Sequence, residues 1–256
     1  PTLAEAQVLE GVHNLIPNFE RIPNKCLEAS PHTLTVDHVD LLKKFNFSFV
    51  SIGIQTLEKS VCKKYNRQHV SHQELRNLSM YLKSNNIYFN YDLIAFLDKG
   101  DIRDLKSFEK DISIVLDTKP SCVTIHQYYQ SHFSIEKTKG LISLLSHVLS
   151  HHQDYICANS MLDPNDAEMD VLYQAEYRLV SENYNYHHYM WNKYASIPVQ
   201  GYNILSLGYS KEYPTVSNSD KICYVAGEDK LSFLKFDSQI RNSFLDIRQR
   251  KGLLTD

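Results

Sequence analysis

Four side chains in this 256-residue chain combine useful chemistry with a suggestive place: Glu28, Gln55, Arg67 and Asp92. Residues 50–54 form a β-branched run that breaks at Gln55 and Thr56 and gives way to a helix-forming segment, 57–64. In a barrel of parallel strands, the residue at a strand's carboxyl end faces the active-site mouth, so Gln55 reads as a ligand-binding group. The same position also suits an ordinary polar cap on a strand exit. Asp92 interrupts an apolar strand, 87–93, where a carboxylate has to be paired or hydrogen-bonded, either to a ligand or to the protein itself. Glu28 stands near the end of a short strand, 25–29, ahead of Pro31, as a site residue or a cap on the following loop. Arg67 follows Asn66 and the basic pair Lys63-Lys64, as a ligand's cation partner or a solvated surface charge.

The elements that must position these groups alternate. An amphipathic helix is predicted over 3–15. After strand 25–29, Thr35 is the N-cap of a helix whose apolar face is Val36, Val39, Leu41, Leu42 and Phe45. Strand 47–54 is almost continuously apolar, as a strand covered on both sides would be. Ser71 and Glu74 form a capping box, with Leu75, Leu78, Met80, Tyr81 and Leu82 as the buried side of the helix they open. Strand 87–93, a helix over 104–116 with Leu105, Phe108, Ile112, Val115 and Leu116 inward, and strand 121–129 complete the run. Strand and helix alternating in this way imply a parallel sheet built from βαβ units. Farther on, the pattern predicts a long helix over 134–155 and another over 166–182. A strand from Ile222, a turn at Gly227-Glu228-Asp229, a second strand and a helix over 239–250 close the chain.

Composition narrows the function. The chain is 43% hydrophobic and 22% charged with a formal net charge of −3, so charge argues for neither a nucleic-acid nor an anionic-membrane partner. No apolar run approaches the ~18 residues of a spanning helix. The five cysteines, Cys26, Cys62, Cys122, Cys157 and Cys223, are irregularly spaced and read as reduced thiols of a cytoplasmic protein, with no metal-ligand pattern among them. His147 and His151 lie one helical turn apart, a spacing able to hold a metal or simply a solvated polar face. His126, Tyr128, Tyr129, Tyr186, His187, Tyr189 and Trp191 would line a recess for a flat macrocycle or fill an aromatic core.

Four short motifs occur in order: Glu28-Ala29-Ser30-Pro31, Ser51-Ile52-Gly53-Ile54-Gln55, Asn66-Arg67 and Asp92-Leu93-Ile94. Together they resemble the E-x-x-P, S-x-G-x-Q, N-R or G-R, and D-L-I motifs of the oxygen-independent coproporphyrinogen III oxidase (HemN-like) family of radical S-adenosylmethionine (SAM) enzymes. The resemblance covers residues 1–129 well. Asn185 to Ala195 and Leu205-Ser206-Leu207-Gly208 resemble a G-Y-x-x-Y…F/Y-A segment and an L-G-x-G turn, with the first glycine of each replaced. The family's G-L-P turn after D-L-I is replaced by residues 95–100.

The resemblance implies an α/β fold, a partial parallel (β/α)6 TIM-like barrel of which strands 3 to 6 are present, over residues 1–131. Residues 132–256 would be an α+β accessory region. It implies SAM as cofactor, with Arg67 on the methionine carboxylate, Glu28 and Gln55 on the amino-acid or ribose side, and Asp92 on the ribose. The family's [4Fe–4S] cluster needs closely spaced thiolates, which this chain lacks. Because Pro1-Thr2 matches the end of the family's G-G-G-T-P-T strand, the chain reads as a fragment whose cluster ligands lie upstream. On this reading no residue of the chain is itself catalytic, and the fragment alone is inactive. The full enzyme would act on a tetrapyrrole or related heterocycle, with flavodoxin or ferredoxin as electron donor. The alternatives are a haem-binding chaperone or a radical SAM methyltransferase of the same family, or an unrelated α/β barrel enzyme.

Overall fold

The computed structural model describes residues 6–14, 19, 25–47, 49–96, 105–127, 135–164, 171–181, 204–209 and 222–227. In chain order the elements are α1 (Ala6–Asn14), β1 (Cys26–Ala29), α2 (Val36–Lys44), β2 (Phe49–Gln55), α3 (Lys59–Lys64), α4 (His72–Ser84) and β3 (Tyr88–Ala95). They continue with α5 (Leu105–Asp117), β4 (Cys122–Gln127), α6 (Ile135–His151), β5 (Tyr155–Pro164), β6 (Val171–Leu179), β7 (Ile204–Tyr209) and β8 (Ile222–Gly227). Two compact units result: residues 24–186, and residues 3–23 with 187–256.

Residues 24–186 carry a six-stranded sheet in the order β1-β2-β3-β4-β6-β5. The first four strands are parallel, as the alternation predicts. β6 then runs antiparallel to β4, and β5 antiparallel to β6. Among the described residues the sheet is mixed and open, with β1 and β5 as its end strands, and not a closed barrel.

Local sequence accounts for most of the helices. Thr35 caps α2, its hydroxyl accepting from the His38 amide, and Ser71 caps α4 with Glu74 reaching back to its amide at 2.7 Å. Each cap satisfies amides that the first helical turn leaves open, worth about 1 kcal/mol. The helices α2, α3 and α4 are each followed by an asparagine with positive φ, Asn46, Asn66 and Asn86, the left-handed closure that asparagine tolerates better than most residues.

The core follows the two-residue period of the strands. Leu27, Val50, Ile52, Phe89, Tyr91, Leu93, Val123, Ile125, Ala175 and Tyr177 share one face of the sheet and are buried. Helix α4 lies over this face, because Tyr91 Oη lies 2.8 Å from Ser79 Oγ and donates to the Leu75 carbonyl. Burial pushes the Tyr91 phenol upward, against a smaller downward pull from Ser79. Ser79 is therefore an inward residue of α4 while Met80, predicted to face inward, is exposed.

Three expectations are corrected. The helix predicted over 166–182 is, at 171–179, the strand β6; Ala175, Tyr177 and Leu179 are buried on one face and Glu176 on the other, and ladder bonds to β4 override the helix-favouring Gln, Ala and Glu. The helix predicted over 134–155 ends at His151, and Tyr155 opens β5, its hydroxyl donating to the Pro120 carbonyl at 2.6 Å. Strand β2, read as almost continuously apolar, carries on its second face the buried Phe49 and Ser51 followed by the half-buried Gly53.

In the other unit, His13 of α1 stacks on Phe19 at 4.5 Å. There β7 and β8 pair in parallel, so Leu205 to Gly208 belong to a strand and not to a turn. The helix predicted over 239–250 lies outside the described residues, as does the aromatic group other than His126.

Candidate functional site

Gly53 adjoins three of the four predicted residues, Gln55, Arg67 and Asp92, and Glu28 stands on the neighbouring strand. β2 brings the glycine level with Asp92 of β3, and two residues earlier Ser51 is level with Glu28 of β1. A Cβ on Gly53 would fall 2.7 Å from Gln55 Nε2, so the Gln55 amide occupies the space that the missing side chain leaves. Arg67 Nη2 donates to the Gly53 carbonyl at 3.3 Å.

Each placement has a local cause. Arg67 is the third residue past α3: its amide donates to the Cys62 carbonyl at 2.8 Å, and Asn66 before it has φ 51°. That closure needs a residue able to adopt the left-handed conformation, which accounts physically for an N-R or G-R pair. Gln55 has φ 66°, and the Thr56 amide donates to the Ile54 carbonyl at 2.8 Å across it, which makes a γ-turn of the strained left-handed kind. The ladder between β2 and β3 is irregular at the same point, between Gly53 and Gln55. Two residues apart, Gly53 and Gln55 share a face of the strand, and at this irregular strand end the Gln55 side chain lies back over the glycine.

Around Asp92 the polar groups form a connected floor. Ser51 Oγ donates to Asp92 Oδ2 at 2.7 Å and Asn90 Nδ2 donates to Asp92 Oδ1 at 2.7 Å. Asn90 Nδ2 is also 3.1 Å from Ser51 Oγ, and Thr124 Oγ1 donates to Asn90 Oδ1 at 3.0 Å. His126 Nε2 lies 3.6 Å from Asp92 Oδ1. Ser51, Asn90 and Thr124 are buried, and both Asp92 oxygens accept, the arrangement of an ionised carboxylate. Glu176 continues the row opposite Thr124, buried and paired with Arg178.

Crowding by surrounding protein and, second, repulsion from Asp92 push the Glu28 acid up to about 8. The Glu28 side chain nevertheless presents an exposed surface, so water offsets part of the crowding, and the Asp92 repulsion is the firmer of the two causes. Asp92 accepts from Ser51 and Asn90, and its repulsion favours the protonated form of Glu28. A guanidinium, an amide and two carboxyl groups on neighbouring elements offer both donors and acceptors to a polar ligand.

The strand-end reasoning missed Ser51, Asn90 and Thr124 as partners of the site. Their signal was present in the two-residue spacing Ser51-x-Gly53, Asn90-x-Asp92 and Thr124-x-His126, which puts every member on one face. It also missed Asp111 of α5, a buried residue that accepts from the Leu57 amide at 2.8 Å and from Thr56 Oγ1 at 3.2 Å. Among the described residues no three His, Cys, Asp or Glu side chains are grouped to hold a metal ion. His147 is exposed on α6, 3.8 Å from Glu109, and fits the solvated-face reading. Cys26, Cys62, Cys122 and Cys157 lie on four separate elements, β1, α3, β4 and β5, and a cubane of iron and sulfur does not fit thiols so placed. Among the described residues no helix is long and apolar enough to cross a membrane.

These features define a mixed α/β protein with a polar face running across its parallel strands. No protein-family model and no curated protein matches the chain. It is similar to the solved structure of the radical SAM enzyme coproporphyrinogen III oxidase (HemN) from Escherichia coli, with 17% identity over 61% of this chain and a TM-score of 0.45. It is also similar to TsrM, a radical S-adenosylmethionine methyltransferase from Kitasatospora setae solved with tryptophan and a SAM analogue, with 9% identity over 46% of this chain and a TM-score of 0.37. The chain spans 35% of the length of the first and 22% of the second.

Proposed function

We propose that this chain is the SAM-binding portion of a radical SAM enzyme of the HemN-like, coproporphyrinogen III oxidase type, acting on a tetrapyrrole or related heterocycle. The observation that supports it is the convergence of Gln55, Arg67 and Asp92 around Gly53, with Glu28 level with Ser51 on the next strand. SAM presents a carboxylate, an ammonium and a ribose diol close together. On this reading Arg67 takes the carboxylate, Glu28 and Gln55 the amino-acid or ribose side, and Asp92 accepts from the ribose hydroxyls. The buried Ser51–Asn90–Thr124 chain keeps Asp92 oriented without a ligand. A [4Fe–4S] cluster belongs to the reading with its ligands outside the described residues, and an electron donor such as flavodoxin or ferredoxin would serve the full enzyme.

The test is SAM binding by titration calorimetry in the full-length protein. Asp92→Ala should weaken binding by about 1.5–3 kcal/mol, the contribution of a charged hydrogen bond in a partly dry site, and Arg67→Ala, at an exposed position, by a smaller amount, about 1 kcal/mol. Asp40→Ala and Lys63→Ala, at exposed positions, should change it little. Equal affinity in all four variants would refute the reading. Formation of 5′-deoxyadenosine after anaerobic reconstitution separates an enzyme from a protein that only retains haem.

A further inference from the structure

We propose that Asp111, on the helix following β3, is a positioning residue for the Gly53 site, holding Gln55 over the glycine by clamping the strained turn beyond it. The proposal rests on the SAM reading above.

The backbone at Gln55 needs such a clamp. A left-handed γ-turn at a residue bearing a side chain persists only where its surroundings over-determine it. Asp111 supplies two bonds to the residues immediately after the turn, through a single oxygen: Oδ2 accepts from the Leu57 amide at 2.8 Å and from the Thr56 hydroxyl at 3.2 Å. Both Asp111 and Thr56 are buried, so water is a poor substitute for either partner. The neighbouring bonds all point the same way. Thr56 Oγ1 accepts from the Glu58 amide, Cys62 Sγ donates to the Thr56 carbonyl at 3.6 Å, and Ser107 Oγ, also on α5, donates to Glu58 Oε2 at 2.8 Å. His69 Nε2 lies 3.1 Å from the Leu57 carbonyl, which ties in the loop that carries Arg67. Through its two bonds Asp111 reaches the ligand groups by way of the turn.

The experiment titrates SAM into the full-length protein carrying Asp111→Leu, Asp111→Asn, Gln55→Ala, or Asp111→Leu with Gln55→Ala, and records thermal unfolding of each. Asn retains one carbonyl oxygen able to accept both bonds, so it should bind SAM within about 3-fold of the parent, whereas Leu should weaken binding about 10-fold. In the Gln55→Ala background, Asp111→Leu should weaken SAM binding no further, while its effect on thermal stability persists. An equal loss of affinity in both backgrounds, or no rescue by Asn, would assign Asp111 to general stability and overturn the proposal. If Asp111→Leu does not fold, Thr56→Val removes one of the two bonds and should weaken binding about 3-fold, again only when Gln55 is present. Parent-like binding by Asp111→Leu, in a protein where Gln55→Ala does weaken SAM, would overturn this assignment alone. A parent that binds no SAM would remove the reading beneath it and this proposal together.

Discussion

Replacing Gly53 with alanine separates what the site needs from what the fold needs. The new Cβ would meet Gln55 Nε2 at 2.7 Å, while the nearest backbone atom, the Ala29 carbonyl oxygen, is at an ordinary 3.8 Å. Only the end of a flexible side chain has to move, so the backbone and the Arg67 bond to the Gly53 carbonyl survive. Restricting the unfolded chain by exchanging glycine for alanine stabilises by about 0.4–1 kcal/mol. Forcing Gln55 away from its rotamer costs about 0.5–1.5 kcal/mol, so the net change in folding stability should lie within about 1 kcal/mol of zero. Ligand affinity should respond differently, because the displaced amide forfeits one neutral hydrogen bond, about 0.5–1.5 kcal/mol or roughly 2- to 12-fold in Kd. Urea denaturation and SAM calorimetry on Gly53→Ala, Gln55→Ala and the double variant check this, and the double variant should bind like Gln55→Ala alone. Undiminished SAM binding by Gly53→Ala, alongside weakened binding by Gln55→Ala, would refute the idea that the glycine makes room for the amide. A large loss of stability would show that the strand itself cannot accept the Cβ.

Two further outcomes follow from the same geometry. Glu28 has a raised pKa in the folded chain, so its contribution to stability is whole below its ordinary value of 4.5 and is lost as pH rises through about 8; urea midpoints should fall across that window, less steeply in Asp92→Asn, and an unchanged slope in Glu28→Gln would refute the assignment. Ser79→Ala removes the Tyr91 hydroxyl's 2.8 Å partner and leaves only the Leu75 carbonyl at 3.4 Å, which should cost about 1–2 kcal/mol in urea denaturation, with a null result placing the Tyr91 hydroxyl outside the core's energetics.

Features set by neighbouring residues were readable along the chain. Thr35 and Ser71 act as caps because the amides they satisfy lie within one turn, and β1 to β4 follow the alternation of apolar runs because each strand's faces are written at a two-residue period. The order Glu28, Gln55, Arg67, Asp92 was likewise visible as residues at strand ends and in the loop between. Their grouping near Gly53 was not, since it depends on the register of three strands and on the Arg67 loop folding back to the Gly53 carbonyl. Helix propensity misjudged residues 171–179, where hydrogen bonds to β4 outweigh the local preference of Gln, Ala and Glu. On α4, the inward position of Ser79 in place of Met80 was decided by a tyrosine hydroxyl twelve residues away that needed a buried partner. Asp111 looked like one acid on an amphipathic helix; its partners lie more than fifty residues earlier, and only packing α5 against the end of β2 turns its carboxylate into the acceptor that holds the site's turn.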